Sequence, residues 1–315
     1  VDDGEIMTKP MIRQPRTLPD HFHFSQSSLQ AYLDCPRLFQ LRYIERLTWP
    51  ASEVEPSIEN EQYMVLGSSF HQLVQQYYLG LRPDRLGNLA MRDPLLNQWW
   101  HNFIQNNPET QGYTHQTEIT FTIPIDRYRL VAKFDLLVYQ QFDNVDTSEI
   151  LSPGTRDNNS EKPNYIIFDW KTSRKFPARQ WLESKMQTIV YPFTLVKAGD
   201  FLLDRYPIQP SQVKMVYWFS NFPTTPIQFN YNQEKYRSDE AMILSLIDEI
   251  KNINSNEAQK TEKQEYCQFC VYRSLCNRGV NAGSFVELEE DATNQNELMD
   301  TELEIDFEQI AEIEF

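Results

Sequence analysis

Several common features are missing from these 315 residues. No apolar run approaches the roughly 20 residues that a helix needs to cross a bilayer, so no membrane span is expected. The first residues, Val1-Asp2-Asp3-Gly4-Glu5, are acidic and carry no apolar core of the secretory kind. We therefore expect no secretory signal and a cytoplasmic protein. No Gly-x-x-x-x-Gly-Lys-[Ser/Thr] loop occurs, which leaves any nucleotide-driven unwinding to another chain. Lys and Arg are absent from residues 281–315, which hold 12 Asp plus Glu. That stretch accounts for 12 of the net −16, leaving −4 on residues 1–280. A mildly acidic body can still hold a locally basic groove, so the global charge does not exclude a polyanionic partner. Cysteine occurs four times only.

The remaining composition, 40% hydrophobic and 13% aromatic, fits a folded protein. Length suggests one large domain or two small ones. We expect a flexible arm over residues 1–20, a folded domain over 21–280 and an acidic, disordered tail over 281–315. The chain is organised around Tyr165-Ile166-Ile167-Phe168-Asp169-Trp170-Lys171-Thr172, an apolar strand that ends in polar residues. Side chains alternate along a strand, so Asp169 and Lys171 share a face and Trp170 points away. Such a pair can hold a divalent cation and orient a water beside it. Taken alone, Asp-x-Lys is far more often an edge-strand salt bridge, and the rest of the chain is what changes the reading.

Upstream, Ser25 suits the N-cap of a helix through Cys35, and Pro36 suits the first turn of the next. Residues 50–62 read as a polar loop. Tyr63 to Leu81 reads as a helix in which Gly67 and His71 share one face. Gly67 costs about 1 kcal/mol of helix propensity against Ala, which points to close approach of another element. Residues 84–108 form a helical stretch whose Trp99 and Trp100 suit the core. Glu118 to Pro124 and Tyr128 to Tyr139 alternate as strands about a turn at Asp126-Arg127, and Asp135 inside the second needs a partner or a metal. Residues 141–164 read as an insertion loop. Arg174, Lys175, Arg179 and Lys185 form a positive cluster suited to phosphate. Trp181 to Val196 is helical with Pro192 inside it. Val213 to Phe219 and Pro223 to Phe229 read as strands, and Ser238 to Ile250 as a helix with Asp239 and Glu240 in its first turn. Helices alternating with strands in this order indicate an α/β protein, a mixed sheet with helices packed on it.

Three of the cysteines form Cys267-x2-Cys270-x5-Cys276, and the fourth is Cys35. In a reducing compartment that spacing suits a metal site rather than disulfides. Four thiolates accommodate either Zn²⁺ or an iron–sulfur cluster.

Several pieces stand in one order. They are Ser25-x-Ser27-x4-Tyr32-x2-Cys35-Pro36-x2-Phe39, Gly67-x3-His71, Asp135, Asp169-Trp170-Lys171, Gln187-x3-Tyr191 and the C-x2-C-x5-C run. Together they resemble a RecB-type nuclease of the PD-(D/E)XK superfamily, in the iron–sulfur branch with the CRISPR-associated RecB-like exonucleases and AddB-type nuclease domains. The resemblance implies a restriction-endonuclease-like mixed central sheet flanked by helices, with a cluster joining the N- and C-terminal segments. It implies a metal-dependent DNA nuclease, acting on single-stranded DNA or free ends in repair or CRISPR adaptation, beside helicase or adaptation partner proteins. His71, Asp135, Asp169 and the Trp170 carbonyl would hold Mg²⁺ or Mn²⁺. Lys171 would position the attacking water, with Gln187 and Tyr191 completing the site and Glu118 an added acid. Cys35, Cys267, Cys270 and Cys276 would hold a 4Fe-4S cluster. Ala132 departs from the pattern, standing where relatives carry Gly. A non-catalytic DNA-binding or scaffold subunit is the first alternative, and a zinc-stabilised interaction protein the second.

Overall fold

The computed structural model describes residues 17–47, 55–108, 110–140, 165–202, 207–253, 258–264, 267 and 270–279. Most of the expected arm, the insertion at 141–164 and the acidic tail lie outside them. A short strand β1 (His23–Phe24) leads into α1 (Gln26–Asp34). Ser25 caps α1 as expected: its Oγ accepts from Ser28 N, and Ser25 N donates to Ser28 Oγ. Helix α2 (Pro36–Phe39) starts on Pro36 and passes into a π-helical turn, Gln40–Ile44. Then come α3 (Glu55–Tyr78), α4 (Pro83–Ala90), α5 (Pro94–Asn106), β2 (Thr114–Ile125) and β3 (Tyr128–Tyr139). After β4 (Tyr165–Lys171) run α6 (Arg179–Ser184), α7 (Met186–Leu202), β5 (Val213–Phe219), β6 (Ile227–Asn230) and α8 (Gln233–Lys251).

The sheet is mixed, ordered β1-β3-β4-β5-β6 with β2 beside β3. β4 and β5 are parallel, connected through α6 and α7. One sheet face packs on α1, α7 and α8 through residues such as Phe24, Phe134, Ile167, Tyr191 and Ile247. The other packs on α3, α4 and α5 through Phe70, Trp99, Leu136, Trp170 and Trp218. Trp99 and Trp100 are core, as their pattern suggests. Among the described residues no helix is long and apolar enough to cross a membrane.

Four expectations need correction. Residues from 55 onward are helical rather than loop. The single helix expected over 84–108 is two, because Asp93 caps a fresh start at Pro94 by accepting from Leu95 N and Leu96 N. The helix expected over Trp181 to Val196 is also two, since Lys185 adopts an extended ψ of 140° between α6 and α7. Helix α8 begins at Gln233 with Asn232 as its cap, so Asp239 and Glu240 lie inside it rather than in the first turn.

Strand β3 is irregular in two respects. Residues two apart on a strand share a face, yet Phe134 lies in the α7-side core and Leu136 in the α3-side core. The strand therefore changes face at Asp135. Opposite it in register, between the pairs Thr117↔Leu136 and Ile119↔Phe134, stands Glu118 with φ 53°. A left-handed non-glycine residue costs roughly 1–2 kcal/mol, so backbone strain is concentrated at this point. In addition, the β3–β4 ladder ends at Leu136↔Phe168 while β4 continues beside β5 to Lys171. The two strands diverge beyond that pair, and Asp135 and Asp169 stand in the fork.

Candidate active site

The fork leaves the Trp170 amide without a strand partner, and Asp135 supplies one: Trp170 N donates to Asp135 Oδ2 at 2.8 Å. The other oxygen, Oδ1, lies 3.3 Å from His71 Nδ1 on α3. Helix α3 comes this close because residue 67 is glycine. A Cβ there would lie 3.1 Å from Thr172 Oγ1, just past the end of β4. The inference that something approaches Gly67 is borne out, and one turn further along the same face carries His71.

On the α7 side, Asp169 and Lys171 are 3% and 9% exposed. Burying two ions costs several kcal/mol each unless their remaining hydrogen-bond positions are met. Gln187 meets them. Lys171 Nζ donates to Gln187 Oε1 at 2.9 Å, and Gln187 Nε2 donates to Asp169 Oδ1 at 2.5 Å and to the Tyr191 hydroxyl at 3.2 Å. Lys171 Nζ also lies 3.1 Å from Asp169 Oδ2 and 5.6 Å from the centre of the Tyr217 ring. Tyr217 is fixed in turn by its hydroxyl contact with Thr188 at 2.7 Å. The i, i+4 spacing of Gln187 and Tyr191 on α7 thus faces the i, i+2 spacing of Asp169 and Lys171 on β4.

Electrostatics join the two halves. Burial by itself would lower the His71 pKa, but the charge and hydrogen bond of Asp135, helped by Asp169, raise it overall, with Lys171 opposing. Asp135 moves down: burial pushes upward and is outweighed by His71, the Trp170 amide and Lys171. His71, Asp135, Asp169 and Lys171 therefore form one interacting group on three elements. Its donors, imidazole nitrogen and carboxylate oxygen, suit a hard divalent ion such as Mg²⁺ or Mn²⁺. Among the described residues no three His, Cys, Asp or Glu side chains stand ready to hold a metal. Glu118, expected as a further acid, ion-pairs with Lys133 at 2.6 Å.

Sequence reasoning missed the supports. Asn221 follows β5, and its Oδ1 accepts from Trp99 Nε1 at 2.9 Å. Its Nδ2 donates to Ser173 O at 2.8 Å and Thr172 O at 3.4 Å, fixing the chain beyond Lys171. Tyr63 donates to the same Thr172 carbonyl. A lone Asn in a turn carries no periodicity, and nothing in the sequence marks it. The basic cluster is also divided: Arg179 lies over Phe229 and donates to Gln228 O, Lys185 lies over Trp181, and Arg174 lies over Tyr63.

Cys35 and the Cys267–Cys276 segment lie at a corner away from the fork, and among the described residues no three cysteines stand ready to hold a metal. Thr261 N donates to Cys35 Sγ at 3.4 Å. The Cys270 thiol is pushed up to about 11 by burial, with Cys276, Cys35 and Cys267 adding to the rise against the Tyr272 amide. None of the four is in a disulfide. Hydrogen bonds bracket the corner from both parts of the chain: Arg37 N to Gln259 O, Ala258 N to Gln40 Oε1 and the Tyr272 hydroxyl to Leu47 O.

Comparison with known proteins gives the same outline. A search of curated proteins finds no match. A solved structure described as a "putative exonuclease" from Eubacterium rectale is similar at 10% identity and TM-score 0.47, covering 84% of this chain and 92% of its own. A second, SSO0001, has 14% identity and TM-score 0.34, covering 81% of this chain and 85% of its own. The family model of the PD-(D/E)XK nuclease superfamily matches residues 23–277, a span that includes the fork and all four cysteines. The chain belongs to the PD-(D/E)XK nuclease superfamily.

Proposed function

We propose that this chain is a metal-dependent DNA nuclease of the RecB-like iron–sulfur branch, cutting single-stranded DNA from an end. The observation that carries the reading is the pairing of Asp135 and Asp169 in the β3–β4 fork with His71 and Lys171 beside them. In this reading His71, Asp135, Asp169 and the Trp170 carbonyl hold Mg²⁺ or Mn²⁺. A bound ion of this kind polarises the phosphate and lowers the pKa of an attacking water. The protein's own part is positional. Gln187 and Asp169 hold the Lys171 ammonium, where it offsets charge developing on the phosphate oxygens. Tyr191 fixes the Gln187 amide and so the orientation of both. His71 must give up its proton to serve as a ligand, which couples metal binding to pH.

Cys35, Cys267, Cys270 and Cys276 hold a 4Fe-4S cluster in the same reading. The mutual influence of the four thiols and the amide directed at Cys35 Sγ support it. Its role is to lock residues 35–47 against 258–279, since binding free energy at such a site is folding free energy. The test is cleavage of end-labelled single-stranded DNA with Mn²⁺ by anaerobically purified protein, beside Lys171→Ala. Cutting by the wild type alone supports the proposal, and the label reports polarity. No cutting by either, with the cluster's absorbance intact, replaces it with a non-catalytic DNA-binding subunit.

A further inference from the structure

Directly after Lys171, residues 172–178 carry an arrangement that the catalytic reading does not use. Phe176 is 45% exposed although Phe219 and Phe222 lie beside it at ring separations of 5.3 and 5.4 Å, both edge-to-face. A large exposed aromatic in a loop would ordinarily fold back into the core that its neighbours already form. Here the chain just before it is held by hydrogen bonds, and Phe176 keeps nearly half its surface exposed. Thr172 O is held by Tyr63 and Asn221, and Ser173 O by Asn221, while Ser220 N donates to Lys171 O at 2.8 Å. Asn221 is itself anchored to Trp99. The loop thus leaves β4 in a fixed direction. Next to Phe176, the exposed Arg174 guanidinium lies 4.3 Å over the Tyr63 ring, which orients it. Lys175 adds a second cation.

We infer that the loop at 172–178 is a docking platform for single-stranded nucleic acid, with one unpaired base stacked on Phe176 and a flanking phosphate held by Arg174. The inference rests on the nuclease reading for its placement. Phe176 is five residues from Lys171, within about 18 Å even if the chain were fully extended, so a strand on the platform reaches the fork. The chemistry selects the partner. An aromatic face beside cations is how proteins hold single strands without reading sequence. A duplex keeps its bases stacked on each other and offers no face for Phe176. The charge complementarity is local: Arg174 and Lys175 sit in a chain whose residues 1–280 are acidic overall, −4 after the 12 acids of the tail are set aside.

The test is binding rather than cleavage, so that it stands apart from the catalytic reading. Affinity for a short single-stranded DNA containing 2-aminopurine is measured in EDTA, where no metal-dependent cutting occurs. The probe's fluorescence reports stacking. For Phe176→Ala and Phe176→Leu the expectation is a loss of about tenfold in affinity, with loss of the quench seen on the parent. Phe176→Trp retains both. Arg174→Ala weakens binding and lowers its salt dependence while the quench remains at saturation. Unchanged affinity and quench in both Phe176→Ala and Phe176→Leu overturn the platform, whatever the protein does to DNA when Mn²⁺ is present. An equal loss on blunt duplex DNA also overturns it, because a stacking site has no use for paired bases. If the wild type fails to cut but Phe176 governs binding, the platform stands and the catalytic reading falls.

Discussion

The fork and the cysteine corner are both places where distant parts of the chain meet, and they are built in opposite ways. The fork is set on β3, β4, α3 and α7, and its polar groups are given partners by the protein itself. The corner joins irregular backbone around residues 258–279 to the short helices near Cys35, and its thiols lie half-buried. The fork can therefore persist as a folded arrangement before any ion arrives, whereas the corner has four thiols and little regular structure to hold them. Loss of a fork residue should remove chemistry even from molecules that still fold. Loss of a corner residue should lower stability and leave the chemistry of each folded molecule nearly intact.

The largest expected effect is at the fork. Asp169→Asn or Lys171→Ala should lower the cleavage rate by about 10³-fold or more, and leaving the other buried ion without its partner should cost about 3–5 kcal/mol of stability, read by calorimetry. Next is the corner. Cys35→Ser should remove the cluster's visible absorbance and lower the melting temperature by about 10 °C. Cleavage per folded molecule should stay within about tenfold of wild type. A Cys35→Ser protein that is stable but inactive would reverse the comparison.

Gln187→Ala sharpens it from within the fork. It leaves two buried ions without their shared amide, so about 1–3 kcal/mol of stability should be lost in denaturant titration. A drop of about 10- to 100-fold in rate should accompany that loss.

The sign of the pH effect comes from the two shifts. The raised His71 contributes stability below its ordinary 6.5 and loses it as pH rises through the folded value. The lowered Asp135 contributes above its ordinary 3.8 and loses it as pH falls through the folded value. In metal-free protein the pair is strongest between these limits, and His71→Ala should flatten the decline on the alkaline side. Because a metal needs the neutral imidazole, the Mn²⁺ concentration for half-maximal cleavage should rise by up to about tenfold per pH unit below the raised pKa. The smallest effect is at Glu118. Glu118→Val places a branched side chain at φ 53° and should cost about 1–2 kcal/mol, read by thermal unfolding.

Much of the fork was legible because its spacings carry geometry. Asp169 and Lys171 two apart on an apolar strand, and Gln187 and Tyr191 four apart on a helix, each predict a shared face, and the two faces meet. Gly67 announced a close approach because glycine is poorly suited to a helix interior for any other reason. What was illegible depends on single residues in tertiary context. The turn of β3 at Asp135 is hidden because Leu136 to Tyr139 are all apolar and suit either sheet face, and Asn221 looks like any turn residue. Asp239 reads as a first-turn acid but is buried inside α8, where burial raises its pKa against the Tyr231 hydroxyl and Lys235. The cap on Asn232, well ahead of the expected start at Ser238, decided that outcome.

Above all, the fork should take a divalent metal. The most direct test is Mn²⁺ titration followed by electron paramagnetic resonance, on wild-type protein and on Asp135→Asn/Asp169→Asn. The wild type should show a tight site that is lost in the double variant, with both proteins equally folded by circular dichroism. Equal tight binding by the two would place the metal elsewhere and contradict a metal site in the fork.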